Sequence, residues 1–202
     1  YEGKTVLGNT IDTKAIIADE DILTEYQYVH EQSVEDANIV VGKITQDYIP
    51  YVDYITGDAN VTTMPTSQLQ DTSIIDFINE VQMYYAESEV GSAALFNVGS
   101  NLTQGDFKKK DVAFIYKYPN TFIGTYITGE NLLEYMEWSV GYYNTYQQGD
   151  LTVSFNPEIR GYNYDMFSGI TYDIDISKEA GERITNAMIN GESIDTAKEY
   201  KL

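Results

Sequence analysis

Helix-like and strand-like patterns follow one another along this chain without a regular alternation, and this order constrains the fold more than any other feature. Apolar residues at helical spacing predict two main helices, over residues 67–87 and 130–143. Alternation of apolar and polar residues predicts a strand over 170–176, and an apolar run over 184–189 leads into the turn-forming pair 190–191. A doubly wound parallel sheet would need strands and helices in regular alternation. The sequence therefore predicts an α+β fold with a mixed sheet and two main helices.

A further predicted helix, over residues 22–37, is much more polar than the other two. Its apolar stripe is thin, and the acidic residues 19–21 precede it as a favourable helix N-terminus. A helix this polar is more typical of a connector between domains than of a core element. We therefore expect residues 1–38 to form a connecting region and residues 39–202 a compact domain. Because the chain begins at Tyr1 rather than Met, we expect it to be a fragment of something longer.

Charge and composition exclude several kinds of partner. The 202 residues carry a formal charge of −20, with 32 acidic against 12 basic side chains. Binding to a nucleic acid polymer depends on Lys and Arg contacts to phosphates, so we expect no such partner. No apolar run approaches the roughly 20 residues of a membrane span, and the first residues lack the pattern of a signal peptide. The absence of Cys excludes disulfides, thiolate metal sites and Cys nucleophiles.

The sequence also lacks the usual catalytic patterns. His30 is the only His, and it lies on the polar helix. Neither a serine nucleophile elbow nor a phosphate-binding glycine loop is present, and no acidic pair stands out by its spacing. A small enzyme with a carboxylate site is left as a minor hypothesis. On its residues alone the chain is typical of a binding module, so we predict no catalytic residue and no metal site within it.

Three segments carry a recognisable pattern: residues 92–99 with Gly105, Asp106 and Phe107; Tyr118, Pro119, Asn120 and Thr121 with Thr128, Gly129, Glu137, Trp138 and Ser139; and residues 162–166 with residues 169–175. Taken in this order, they resemble the C-terminal domain of the bacterial 5′-nucleotidase family. The order and spacing of these segments hold from about Val41 to Leu202. The segment with the Tyr-Pro-Asn-Thr loop is similar to the 2′,3′-cyclic-nucleotide 2′-phosphodiesterase branch of the family.

This resemblance implies the substrate-binding domain of a two-domain, metal-dependent phosphoesterase that hydrolyses 2′,3′-cyclic nucleotides and nucleotide monophosphates in nucleotide catabolism. Residues 1–38 would be the end of the catalytic domain and the connector helix, and residues 39–202 the nucleotide-recognition domain. Two divalent metal ions would belong to the N-terminal catalytic domain, with no cofactor in this chain. The implied partners are a nucleotide or nucleoside and the protein's own N-terminal domain. The resemblance also implies an extracellular or cell-surface location, in a Gram-positive organism.

The resemblance assigns four residues to a nucleotide pocket. Tyr118 corresponds to an aromatic residue that stacks on the base, and Asn120 to an amide that hydrogen-bonds the base edge. Asn97 and Gly99 correspond to a turn that lines the ribose and phosphate side of the cleft. We expect all four residues to lie against a bound nucleotide.

The chain departs from the family pattern where a phosphate would be bound. Leu102 stands in place of a phosphate-contacting Arg, and Gln68 and Gln70 stand near the upstream Arg positions. The whole chain contains only two Arg residues. The second stacking aromatic would follow Leu202, so we expect the C-terminal edge of the domain to be truncated. These departures leave open an alternative, a non-catalytic surface interaction domain with a degenerate nucleotide pocket.

Overall fold

Contacts between backbone segments divide the chain into two compact units, residues 1–39 and residues 40–202. The structure, a computed structural model, describes the following parts of the chain: residues 10, 12–48, 56, 66–96 and 101–202.

The first unit contains the polar helix predicted from the sequence. Helix α1 spans Glu20–Ala37. The side chain of Asp19 accepts hydrogen bonds from the backbone N–H groups of Asp21 and Ile22, at 3.0 and 3.1 Å. A carboxylate here satisfies donors that the helix leaves unpaired, and it opposes the positive end of the helix dipole. The predicted helix is therefore confirmed, and it begins two residues earlier than expected.

The second unit contains both of the main helices that the sequence predicts. Among the described residues its helices are α2 (Ser73–Ala86), α3 (Lys109–Ile115) and α4 (Gly129–Val140). The prediction placed the start of α2 six residues too early. Thr72 is extended, with φ −135° and ψ 147°, and the residues before it form a 3-10 helix (Thr66–Gln68) instead of a first α-helical turn.

The strands of the second unit pair antiparallel in small sheets. The pairs are β1 with β3, β2 with β5 and β4 with β9, and β7 lies between β6 and β8. The α+β class with two main helices is thus confirmed, and the strands expected in one mixed sheet form these separate antiparallel ladders. The strands are β1 (Val40–Ile44), β2 (Gly91–Ala94), β3 (Gly105–Lys108), β4 (Tyr126–Thr128), β5 (Asp165–Ser168), β6 (Thr171–Ile174), β7 (Ile184–Ile189), β8 (Glu192–Ser193) and β9 (Glu199–Lys201).

The predicted hairpin is also present, between β7 and β8. Asn190 and Gly191 both adopt positive φ, at 53° and 79°. Two successive residues with positive φ match the turn that a two-residue hairpin loop prefers, because its twist agrees with that of the flanking strands. The Asn-Gly pair therefore fixes the register of this edge.

Two apolar clusters form the core of the second unit. In the first, Ile74 and Ile75 of α2 lie with Leu95, which follows β2, and with aromatic residues of the segment after α4. In the second, Leu132 and Met136 of α4 lie with residues of β5, β7 and β9. Each main helix thus anchors one cluster, and the ends of β2 and α3 are held against the first.

Candidate functional site

Three aromatic rings, of Phe96, Tyr116 and Tyr118, form an exposed aromatic cluster. The Phe96 ring centroid lies 5.0 Å from that of Tyr116 and 5.8 Å from that of Tyr118, and the two tyrosine centroids lie 6.1 Å apart. All three pairs meet at steep angles, between 63° and 86°. Edge-to-face contacts of this kind are favourable for aromatic rings. They hold the Tyr118 ring in place while 47% of the residue stays exposed.

The aromatic cluster lies where two secondary structure elements end. Phe96 follows β2 directly after the buried Leu95, and Tyr116 follows α3 directly after the buried Ile115. Both buried neighbours belong to the first apolar cluster. The core therefore anchors the backbone at the two points from which the rings project.

Asn120 joins the aromatic cluster through a hydrogen bond. Its Nδ2 donates to the hydroxyl oxygen of Tyr116 at 2.8 Å. This contact uses one of the two amide donors and orients the group, which also carries a second N–H and a carbonyl oxygen. The structure thus brings Tyr118 and Asn120, both predicted from the sequence, to the same aromatic cluster.

Lys117 lies beside the aromatic cluster, in a stretch of the chain that is rich in Lys. Four of the chain's 12 basic residues lie within ten positions, at Lys108, Lys109, Lys110 and Lys117. The Nζ atom of Lys117 lies 5.4 Å from the Tyr118 ring centroid, within range of a cation–π contact. The sequence interpretation overlooked these residues. The run of three Lys at the start of α3, in a chain of net charge −20, was the signal that could have revealed them.

The other two residues predicted for the pocket, Asn97 and Gly99, lie outside the described residues. Leu102, which stands where the family pattern has a phosphate-contacting Arg, is 97% buried in the first apolar cluster. Its carbonyl accepts a hydrogen bond from Tyr48 N at 2.9 Å. An Arg at this position would bury a charge among apolar side chains. Leu102 is therefore a residue of the hydrophobic core in this chain.

Neither metal binding nor membrane insertion is indicated by the described residues. They contain no group of three or more His, Asp or Glu side chains placed to hold a metal ion. None of the described helices has both the length and the apolar character of a membrane crossing.

An exposed aromatic ring beside a side-chain amide offers a stacking face and hydrogen-bonding groups to a planar ring. Comparison with known proteins identifies the family. The family model "5′-nucleotidase, C-terminal domain" matches residues 40–202. The chain therefore belongs to this family, as the ordered motifs predicted.

Curated relatives by sequence are nucleotide phosphoesterases by name. The trifunctional nucleotide phosphoesterase protein YfkN of Bacillus subtilis is 25% identical over 195 residues, which cover 86% of this chain and 12% of that protein. The 2′,3′-cyclic-nucleotide 2′-phosphodiesterase/3′-nucleotidase of Haemophilus influenzae is 27% identical over 242 residues, covering 98% of this chain and 34% of that protein. The chain thus spans between about an eighth and a third of the length of these relatives.

Solved structures share the fold. A Staphylococcus aureus protein assigned as a 5′-nucleotidase, solved in complex with alpha-ketoglutarate, matches with a TM-score of 0.70 and 25% identity. The match covers 95% of this chain and 35% of that one. The 5′-nucleotidase precursor of Thermus thermophilus matches with a TM-score of 0.61 at 15% identity, over 91% of this chain and 32% of that one, which is a likeness of fold.

Proposed function

We propose that residues 39–202 recognise the nucleotide substrate of a larger, two-domain phosphoesterase. The whole protein would hydrolyse 2′,3′-cyclic nucleotides and nucleotide monophosphates outside the cell or at the cell surface. Residues 1–38 would end the catalytic domain and form the connector helix. The family match and the names of the relatives support this assignment. Because the chain spans at most 34% of the length of these two relatives, we assign the chemical step to the N-terminal catalytic domain.

The exposed ring of Tyr118 is the observation that carries the proposal. A nucleobase stacked on a tyrosine ring gains about 1–3 kcal/mol, and this gain depends little on which base is bound. The steep contacts with Phe96 and Tyr116 hold the ring before a ligand arrives. Less conformational entropy is then lost on binding.

Asn120 would add a hydrogen bond to the edge of the base. Its bond to Tyr116 orients the amide, so that the carbonyl oxygen could accept from an exocyclic amine while the second N–H donates to a ring nitrogen. Asn97 and Gly99 would line the ribose and phosphate side of the pocket. The base would thus be selected for its planar face and its hydrogen-bonding edge.

Lys117 would give the phosphate a local positive partner. A chain of net charge −20 repels anions at long range, so a nucleotide needs attraction close to its binding site. Lys117 already lies beside the Tyr118 ring. Two divalent metal ions in the catalytic domain would supply the activated water. The residues of this chain would bind and orient the nucleotide.

A second candidate function is a surface interaction domain with a degenerate nucleotide pocket. The burial of Leu102 at the position of the expected Arg favours it. Such a domain would retain the fold and the aromatic cluster without measurable affinity for nucleosides.

An NMR titration of the 202-residue chain with adenosine distinguishes the two functions. Nucleotide recognition predicts saturable shifts in the backbone signals of residues 116–121 and in the side-chain amide signals of Asn120. Signals from α1 serve as the internal control and should not move. Unchanged spectra at millimolar adenosine would reject nucleotide recognition by this chain and leave the interaction domain.

A further inference from the structure

A groove of about 750 Å³ runs beside α4 and shares no residue with the aromatic cluster or the predicted pocket. Three glutamates of α4 line it, Glu130, Glu134 and Glu137. Their spacing of four and then three residues places them on one face of the helix. The floor is apolar, with Leu133 and Ile184 among its residues. The groove therefore combines an acidic wall, formed by the three glutamates, with an apolar floor.

Trp138 lies at the groove and is 54% exposed. Its neighbours in sequence have internal roles, which Trp138 does not share. Glu137 accepts a hydrogen bond from Ile184 N at 2.6 Å, and Ser139 donates to the carbonyl of Asp165 at 2.6 Å. An exposed Trp beside carboxylates is a favourable surface for a cation, because its ring attracts positive charge more strongly than those of Tyr or Phe.

The charges determine which partner fits the groove. None of the residues that line it, all of them in the described part of the chain, is Lys or Arg. A positively charged occupant is therefore complementary. A second copy of the chain is not, because each copy carries a charge of −20.

The dimensions of the groove favour an extended peptide. From Glu130 to Gly141, α4 rises by about 16 Å, which about five residues of extended chain would span. Glu130 and Glu134 are separated by about 6 Å along the helix axis. Alternate residues of an extended chain repeat every 6.5–7 Å or so on one side. Basic side chains at alternate positions would thus meet the glutamates, while aliphatic ones between them face the floor.

We propose that this groove binds an extended segment of another protein in which basic and aliphatic residues alternate. The basic side chains pair with Glu130 and Glu134, one of them lies over the Trp138 ring, and the aliphatic side chains cover the floor. This interaction is separate from nucleotide recognition.

Trp138 is the only Trp in the chain, so its fluorescence reports directly on the groove. The probe is an acetylated and amidated pentapeptide that alternates arginine and leucine, titrated into the 202-residue chain. We expect a saturable change in emission, weakened about fivefold or more by the double substitution Glu130→Gln with Glu134→Gln. Both glutamates are exposed, so the variant should fold normally. The matched control Glu80→Gln removes an exposed acid of α2 outside the groove and should leave the affinity within about 1.5-fold.

Several outcomes would overturn the proposal. Constant emission at millimolar peptide would exclude binding, and equal affinity for a citrulline–leucine peptide of the same length would exclude recognition of positive charge. Equal weakening by Glu80→Gln would indicate general attraction to an acidic chain. Equal affinity for spermine would identify a polyamine site instead. A dimer in sedimentation that Trp138→Ala abolishes would identify an interface between copies.

Discussion

Arg183 directs its guanidinium nitrogens at oxygen atoms near the end of α4, while its Nε donates to the Lys178 carbonyl at 3.0 Å. The residue is 99% buried. Its Nη1 donates to the carbonyls of Val140 and Tyr143 at 2.9 and 2.8 Å, and its Nη2 to the hydroxyl of Thr145 at 3.0 Å. The last carbonyls of a helix lack partners within the helix, and a cation there also complements the helix dipole. One of the chain's two Arg residues thus has a structural role and does not contact phosphate.

Replacing Arg183 should destabilise the fold strongly. Arg183→Met removes the donors to the carbonyls of Val140 and Tyr143 and to the Thr145 hydroxyl. A hydrogen bond from a charged donor contributes about 1.5–3 kcal/mol. We expect the free energy of unfolding, measured by urea denaturation, to fall by about 3 kcal/mol or more. Arg160→Met, at an exposed position, is the control and should change it by less than about 0.5 kcal/mol. A small change in Arg183→Met would show that water replaces the guanidinium.

At the scale of elements, the start of α4 is held by close contact with the loop before β9. Gly129 N donates to the Lys198 carbonyl at 2.9 Å, and Glu130 N donates to the Thr196 carbonyl at 3.0 Å. The side chain of Thr128 caps the helix by accepting from Asn131 N at 3.3 Å. These bonds satisfy backbone donors that the first helical turn leaves open. Gly129 allows the loop to approach this closely.

A side chain at Gly129 should disrupt this contact. A Cβ added there would overlap with the Asp195 carbonyl oxygen and lie 2.7 Å from Cγ2 of Ile194. We expect Gly129→Ala to lower the free energy of unfolding by about 2 kcal/mol or more, because backbone on both sides must shift. In the control, Gly42→Ala, the new Cβ would lie 3.5 Å from the nearest atom, an ordinary contact. Equal, small losses in both variants would contradict the close approach.

The sequence predicted those elements whose pattern is local. Helix α4 and strand β7 were found because their apolar residues recur at regular spacing and clear turn residues bound them. The start of α2 was placed six residues early because Leu69 continues the helical apolar pattern across Thr72, which the fold holds extended. Strands β3 and β5 were missed because pairing with β1 and β2, distant in sequence, makes them strands.

The candidate site was predictable to a similar extent. Tyr118 and Asn120 lie in one short loop, so a local motif was enough to indicate both. Phe96 is 20 residues or more away from the other two rings along the chain, and only the fold brings it to the aromatic cluster. The buried roles of Leu102 and Arg183 depend on packing between distant segments, which no local pattern records.

At the scale of the whole molecule, many of the 19 tyrosines contribute to the core as well as the surface. The Tyr142 ring stacks between Phe155 and Tyr164, at centroid distances of 4.7 and 5.1 Å. Burial raises the pKa of Tyr143 to about 12. It also raises the pKa of Tyr164 well above its ordinary value, as does the nearby Tyr143. The folded core thus keeps these hydroxyls protonated in alkaline solution.

This burial predicts a loss of stability at high pH. A raised tyrosine pKa favours the neutral, folded form, so its stabilising effect is complete below the unfolded value near 10 and is lost as the pH rises toward the folded value. Between these values each such tyrosine should lower the free energy of unfolding by about 1.4 kcal/mol per pH unit. Urea denaturation from pH 8 to 11.5 should therefore show a free energy of unfolding that falls as the pH rises. In Tyr143→Phe this fall should be smaller by the contribution of one tyrosine, about 1.4 kcal/mol per pH unit. An unchanged slope in Tyr143→Phe would contradict this.

The proposed function requires Tyr118 to serve as a platform for a nucleobase. Calorimetric titration with 3′-AMP checks this requirement by comparing the unchanged chain with Tyr118→Ala, Tyr118→Phe and the control Tyr84→Ala. Loss of a stacking contact of about 1–3 kcal/mol predicts a Kd about 5 to 150 times higher for Tyr118→Ala. Tyr118→Phe keeps the ring and should bind within about threefold of the unchanged chain, as should Tyr84→Ala, which alters an exposed tyrosine of α2. Equal affinity for 3′-AMP in the unchanged chain and in Tyr118→Ala would contradict this requirement.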